Sequence, residues 1–210
     1  MAMTDARIAG AILIAAALSS LVAATMPSLS RERVWMLPQP EYFRVIREHE
    51  AQWRAHAWLF ALGTVLMGIG LGFVARTTAN GLALAAAILY GLVAPLWLAD
   101  LAFRLDLTVW AARGGAAGAL FDAIGHWSGS LFNIFMIGSF FAIALLGAAL
   151  ADASVVPAWT AWVLIAFGVA AGVSHWASWP RLMGMRSPFD LPVLVQLVPL
   201  LVAIPLAAAG

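Results

Sequence analysis

The stretch FDAIGHWSGSLFNIFMIGSFF, residues 121–141, changes within about one helical turn from a polar helix start to a long apolar run. Asp122 and His126 are four residues apart, so they share one face of a helix. Ser130 and Asn133 continue that face to a depth where hydrocarbon would surround it. We therefore predict a membrane-spanning helix that carries polar side chains from the interface down into the bilayer.

The composition of the whole chain agrees with this prediction. Of 210 residues, 64% are hydrophobic and 10% are charged, whereas an ordinary soluble domain has about 25% charged residues. Several apolar runs approach the roughly 20 residues that cross a bilayer core. The net charge of +1 gives no indication of nucleic-acid binding. We predict an all-α, polytopic membrane protein whose first partner is the lipid bilayer.

Two residue types are missing, and each absence excludes a class of chemistry. The chain has no cysteine, which excludes disulfides, thiolate catalysis and cysteine-bound zinc or iron–sulfur centres. It also has no lysine, because every basic residue is arginine. Retinal and pyridoxal cofactors need a lysine amine for their Schiff base, so both are excluded.

Six apolar runs predict a single transmembrane domain that forms a six-helix bundle. The predicted spans are 7–26, 55–75, 82–101, 126–150, 158–176 and 191–208. Before the second span, residues 41–54 have an apolar and a charged face at helical spacing, which predicts an amphipathic segment at the membrane interface. A straight helix over 41–75 would be about 50 Å long, so we expect either a bend in this stretch or a turn that protrudes from the membrane.

The arginines predict how the chain is oriented. With six spans, both termini lie on one side of the membrane, together with Arg7 and Arg76. The other nine arginines lie on the opposite side, in or near the segments that join spans one to two, three to four and five to six. We call that side the loop-rich face. The positive-inside rule places it in the cytoplasm and the termini outside. The arginine-only, alanine-rich composition suggests a high-GC genome.

The same topology gathers most ionisable side chains of the spans at the loop-rich face. We predict there a cavity that binds, or converts, an apolar small molecule. In an enzyme, His126 would be the acid or base, Asp122 would orient it, and Arg104 would hold an anionic group. Asn133 would lie at the floor of the cavity. The predicted ligand-binding residues are His56, Asp100, Arg104, Asn133 and His175.

Each of these residues also has a purely structural interpretation. Asp100 and Arg104, four residues apart, could form an ion pair at a helix end. Asp122 and His126 could be a pair at the N-terminus of their own helix, where the helix dipole favours the aspartate. His175 could be an interfacial histidine among tryptophans, and Asn133 could hydrogen-bond between helices.

Three other functions stay open at this point. His56 and His126 could ligate a b-type haem from neighbouring helices. A non-haem metal site could use His56, His126 and His175 with a carboxylate. The chain could also be a non-catalytic subunit of a larger membrane complex, or a homo-oligomer, with its tryptophan-rich and arginine-rich loops as the contact surface.

Two segments resemble a known family. They are ARIAGAILIAAALSSLVAA, residues 6–24, and VPAWTAWVLIAFGVAAGV, residues 156–173. An Arg-Ile-Ala-Gly start and a Pro-x-Trp-x-x-Trp turn before the fifth helix resemble a family of uncharacterised bacterial six-helix membrane proteins. The resemblance implies the fold and a bacterial plasma membrane, and it implies no activity.

Overall fold

Every regular element in the described part of the chain is a helix, which confirms the all-α prediction. The computed structural model describes residues 5–32, 34, 37–115, 118–153, 155–178 and 191–208. A π-helical turn, Arg104–Thr108, lies between the helix that ends at Phe103 and the helix that begins at Val109. The helices are α1 Asp5–Ala24, α2 Pro27–Arg31, α3 Gln39–Glu48, α4 Glu50–Thr78, α5 Gly81–Phe103, α6 Val109–Ala112, α7 Ala119–Ala153, α8 Ala158–Ser178, α9 Val193–Leu197 and α10 Leu200–Ala208.

Among the residues that the structure describes, five helical stretches are long and apolar enough to cross a membrane. The sixth predicted span, 191–208, contains α9 and α10 instead of one long helix. Pro199 lies in the break between them, and a proline has no backbone N–H to continue a helix. The five long stretches are Asp5–Ala24, Glu50–Thr78, Gly81–Ala112, Phe121–Ala153 and Ala158–Ser178.

The long helices pack side by side, with α4 between α1 and α5, α7 against α5, and α8 against α7. Two polar contacts tie them together at the end where the chain begins. Arg76 Nε lies 2.9 Å from Asp5 Oδ2, which links the end of α4 to the start of α1. Asn80 Nδ2 donates to Asp152 Oδ2 at 2.9 Å, which links the α4–α5 turn to the end of α7.

The close contact between α7 and α8 depends on small residues, as the spacing of Gly168 and Gly172 predicts. A Cβ atom added at Gly168 would lie 2.5 Å from the carbonyl oxygen of Phe140 and 2.7 Å from the amide nitrogen of Ala144. The two helices therefore meet almost backbone to backbone. This contact fixes how α7 is rotated about its own axis.

A hydrophobic cluster separate from the core of the bundle lies at the end opposite to Asp5 and Arg76. We call the segment formed by α2, α3, the π-helical turn and α6 the cap. The bend expected in residues 41–75 occurs at His49, where the backbone leaves helical geometry between α3 and α4. The apolar face of α3 packs against protein here. The buried residues of this cluster are Leu29, Val34, Val45, Ile46, Trp53, Val109 and Ala112.

Candidate functional site

A cavity of about 720 Å³ lies beneath the cap, between the ends of α1, α4, α5 and α7 and the start of α9. Its volume is within the range of small-molecule sites, about 300–1,000 Å³. The deeper wall is apolar and includes Phe60, Trp97 and Phe132. The wall nearer the cap is polar, and its side chains are Ser30, Tyr42, His56, Asp100, Arg104 and Ser128.

The centre of the polar wall is an ion pair between neighbouring turns of one helix. Arg104 Nε donates to Asp100 Oδ2 at 2.7 Å, and Ser128 Oγ on α7 donates to Asp100 Oδ1. The Asp100 side chain is only 2% exposed, while that of Arg104 is 24% exposed. A buried carboxylate is tolerated only when it is paired and hydrogen-bonded in this way.

The backbone around Arg104 is held from the cap side. Arg104 opens the π-helical turn, a rare geometry that is frequent at functional sites. The indole Nε1 of Trp53 donates to the Arg104 carbonyl oxygen at 2.8 Å. The Arg104 guanidinium carbon lies 5.4 Å from the centroid of the Trp97 ring. The arginine is thus fixed between the cap and the aromatic floor of the cavity.

His56 is also fixed in orientation. Its Nδ1 lies 2.9 Å from the carbonyl oxygen of Ala23. A carbonyl only accepts hydrogen bonds, so Nδ1 carries the proton in this contact. The imidazole stacks on Trp53, with centroids 6.0 Å apart, and contacts Phe60 edge-on at 4.8 Å. The histidine joins the polar wall to the aromatic floor.

Tyr42 of the cap and Ser128 of α7 are cavity residues that sequence reasoning missed. Burial raises the pKa of Tyr42 to about 12, so its phenol is protonated at physiological pH. The ring packs edge-on against Trp53 at 5.7 Å. The signal for Tyr42 was present in the sequence, because it lies on the apolar face of the predicted amphipathic segment. The signal for Ser128 was absent, because only the packing of α7 decides which of its serines faces α5.

Three of the predicted site residues come together in the cavity wall, namely His56, Asp100 and Arg104. Asp122 and His126 do not join them, because both are exposed. Gln39 Nε2 donates to Asp122 Oδ1 at 3.4 Å. Within the described residues, no hydrogen bond joins the Asp122 and His126 side chains.

The other two predicted residues lie elsewhere in the bundle. His175 is 1% exposed and stacks on Phe140, with ring centroids 5.6 Å apart, in the contact between α8 and α7. Asn133 is partly buried on α7 and is not in the cavity wall. For the metal alternative, no three His, Asp or Glu side chains lie close enough to hold an ion in the parts of the chain that the structure describes.

Comparison of the chain with protein-family models, curated proteins and solved structures finds no match.

Proposed function

We propose that this membrane protein binds an amphiphilic small molecule in the cavity beneath the cap. The observation that carries the proposal is the change of polarity along the cavity. Its deeper wall has the aromatic rings of Phe60, Trp97 and Phe132, and the wall nearer the cap has the Asp100–Arg104 pair. An apolar body would pack on the rings, and a polar end would hydrogen-bond near the pair. Few, well-placed polar groups in an apolar cleft are typical of ligand sites.

The exposed tryptophans support a position of the polar wall at the level of lipid head groups. Tryptophan side chains concentrate at both membrane–water interfaces. Near the cap, Trp58 is 65% exposed and Trp127 is 57% exposed. Trp58 is two residues from His56, and Trp127 is next to Ser128, so both share the depth of the polar wall. At the other end of the bundle, Trp159 and Trp162 are 60% and 64% exposed.

The acid–base pair predicted from the sequence does not support conversion of the ligand. An acid–base reaction needs a proton-transfer group within hydrogen-bond reach of the substrate. Asp122 and His126 are exposed and outside the cavity wall. His56 is the imidazole that lines the cavity, and its Nδ1 is hydrogen-bonded to the Ala23 carbonyl oxygen. We therefore propose binding and assign no reaction to the cavity.

Six crossings and a bacterial inner membrane complete the proposal. Gly10 near the start of α1 lies against the backbone of Ala203 and Ala207 in α10. This contact supports a sixth crossing, made by α9 and α10 together, that returns the chain to the side where it began. The interrupted helix is compatible with a membrane because the break is covered by neighbouring helices. The arginine distribution supports a cytoplasmic cap that lies at the interface.

Because the chain has no cysteine, single cysteines can report this topology directly. We expect Gly118→Cys to react with a membrane-impermeant maleimide only in inverted vesicles from a bacterial host. Gly81→Cys and Ala208→Cys should react only in spheroplasts. Both glycines have open space around an added side chain. Labelling of Ala208→Cys from the Gly118 side would contradict the sixth crossing, and reversal of the whole pattern would contradict the orientation.

The binding proposal is tested by filling the cavity without touching its polar groups. Gly129 of α7 lines the cavity, and an added Cβ there meets no atom within 4 Å. We expect Gly129→Leu to occupy the space of the ligand. The measurement is photolabelling of the protein in lipid nanodiscs with a diazirine-bearing n-dodecanol, mapped by mass spectrometry of the labelled peptides. The wild-type protein should be labelled on peptides of the cavity wall, and excess n-dodecanol should compete.

Gly91→Leu is the matched control for this experiment. Gly91 is exposed in the middle of α5, and an added side chain there also meets open space. Both variants replace a helical glycine by leucine, so each gains similar helix propensity, up to about 1 kcal/mol. Labelling of cavity peptides should be lost in Gly129→Leu and kept in Gly91→Leu. Equal labelling of the two variants would overturn the proposal.

A further inference from the structure

The charges in the cavity wall indicate the charge of the ligand's polar end. We infer that its polar end is uncharged, so that the ligand is a neutral amphiphile whose head is a hydroxyl, an ester or a similar hydrogen-bonding group. This inference rests on the proposed binding function. It replaces the expectation that Arg104 holds an anionic group.

Asp100 and Arg104 form an ion pair in the cavity wall. The Arg104 Nε donates to one carboxylate oxygen of Asp100 at 2.7 Å, and Ser128 donates to the other. Asp100 is buried, so water does not screen its charge from a neighbour in the cavity. The pair presents one positive and one negative charge to the same space, and these sum to zero.

A charged head would meet a like charge at this wall. An anionic group that reaches Arg104 must also lie close to the Asp100 carboxylate, and a cationic group that reaches Asp100 must lie close to the guanidinium. A like-charge contact in a poorly hydrated site is strongly unfavourable. The charged head would also compete for one member of the Asp100–Arg104 pair. The other member would then lose part of its counter-charge.

The remaining polar groups of the wall offer no net charge to balance a charged head. Tyr42 is a neutral phenol, since burial raises its pKa to about 12. His56 donates its Nδ1 proton to the Ala23 carbonyl oxygen, and its 4% exposure favours the neutral imidazole because burying a charge is costly. Hydroxyl, imidazole and carboxylate groups together can donate to and accept from a neutral head. A hydroxyl, which does both, matches them.

Three ligands with one tail and different heads test the inference. They are n-dodecanol, n-dodecylphosphonate and n-dodecylamine. Each is used to compete with the diazirine-bearing n-dodecanol for the wild-type protein in nanodiscs. We expect n-dodecanol to compete at a concentration at least about tenfold lower than either charged ligand, a difference of about 1.4 kcal/mol in binding. Equal or better competition by n-dodecylphosphonate would overturn the inference and leave the binding function standing. Failure of all three to compete would overturn the binding function itself.

Asp100→Asn adds a second readout, because it leaves the Arg104 charge without its counter-ion. We expect n-dodecylphosphonate to compete at least about tenfold better on this variant than on wild type. Glu50→Gln is the control, since it changes the net charge equally but lies in the exposed ion pairs with Arg54 and Arg113. An unchanged phosphonate preference in folded Asp100→Asn would also overturn the inference. Should that variant not fold, the wild-type comparison decides alone.

Discussion

Trp53→Ala is expected to destabilise the protein by about 3–5 kcal/mol, the range for large aromatic residues removed from a core. Trp53 is fully buried between the cap and the bundle. Its ring packs on Tyr42 and His56, and its Nε1 holds the Arg104 carbonyl oxygen. One side chain therefore supports three residues of the polar wall. The measurement is the thermal unfolding midpoint in nanodiscs, together with photolabelling of the cavity.

Two further variants separate the contribution of Trp53 packing from that of its hydrogen bond and from the loss of an exposed tryptophan. Trp53→Phe keeps most of the packing and removes the hydrogen bond, whose net contribution is about 1 kcal/mol, so it should lose much less stability. Trp58→Ala lies on the same helix at a 65% exposed position, and it should leave the midpoint close to that of wild type. If Trp53→Ala unfolded at the wild-type midpoint, the cap would not be a packed part of the structure.

Hydropathy was sufficient to locate the long helices, because crossing a bilayer demands a run of apolar residues whatever the fold. The predicted spans 82–101 and 158–176 lie within one to two residues of Gly81–Phe103 and Ala158–Ser178. The stretch 191–208 satisfied the same criterion, yet it contains two short helices. Average hydropathy does not register Pro199, whose effect is on the backbone hydrogen bonds.

The cap shows what helical periodicity leaves open. The pattern of residues 41–54 predicted an apolar face, and two residues of this face, Val45 and Ile46, are fully buried in the structure. Helical periodicity predicts that a face is buried, but it does not predict which groups bury it. In the structure the covering groups belong to the chain itself, with Leu29 of α2 and Val109 of α6 among them.

The predicted site residues fall into two groups, those in the cavity wall and those outside it, because the sequence predicts depth in the membrane better than direction. His56, Asp100 and Arg104 could be brought together from the sequence, because depth in the membrane follows from counting residues along each helix. Asp122 and His126 have a comparable depth in the membrane, but their side chains lie on the exposed side of α7. The rotation of α7 is set by its contacts with α5 and α8, which bury Ser128 and Phe135 and leave His126 exposed. The glycine spacing of α8 predicts that another helix packs closely against it, but it does not predict which face of α7 makes that contact.

The most direct test of the account is the reactivity of one cysteine in the cavity wall. The chain has no cysteine of its own, so Gly129→Cys provides a single thiol, placed where an added side chain meets open space. The small, uncharged reagent methyl methanethiosulfonate should modify it almost completely, because a thiol in a water-accessible cavity can ionise to the reactive thiolate. The same reagent should leave Gly91→Cys, at its exposed position in the middle of α5, unmodified.

Saturating n-dodecanol decides whether the accessible space is also a binding site. The account predicts that this ligand protects Gly129→Cys from the reagent and has no effect on Gly118→Cys, which lies outside the cavity wall. A thiol at position 129 that does not react, or that reacts equally with and without n-dodecanol, would contradict the claim that the capped end of the bundle holds an amphiphile.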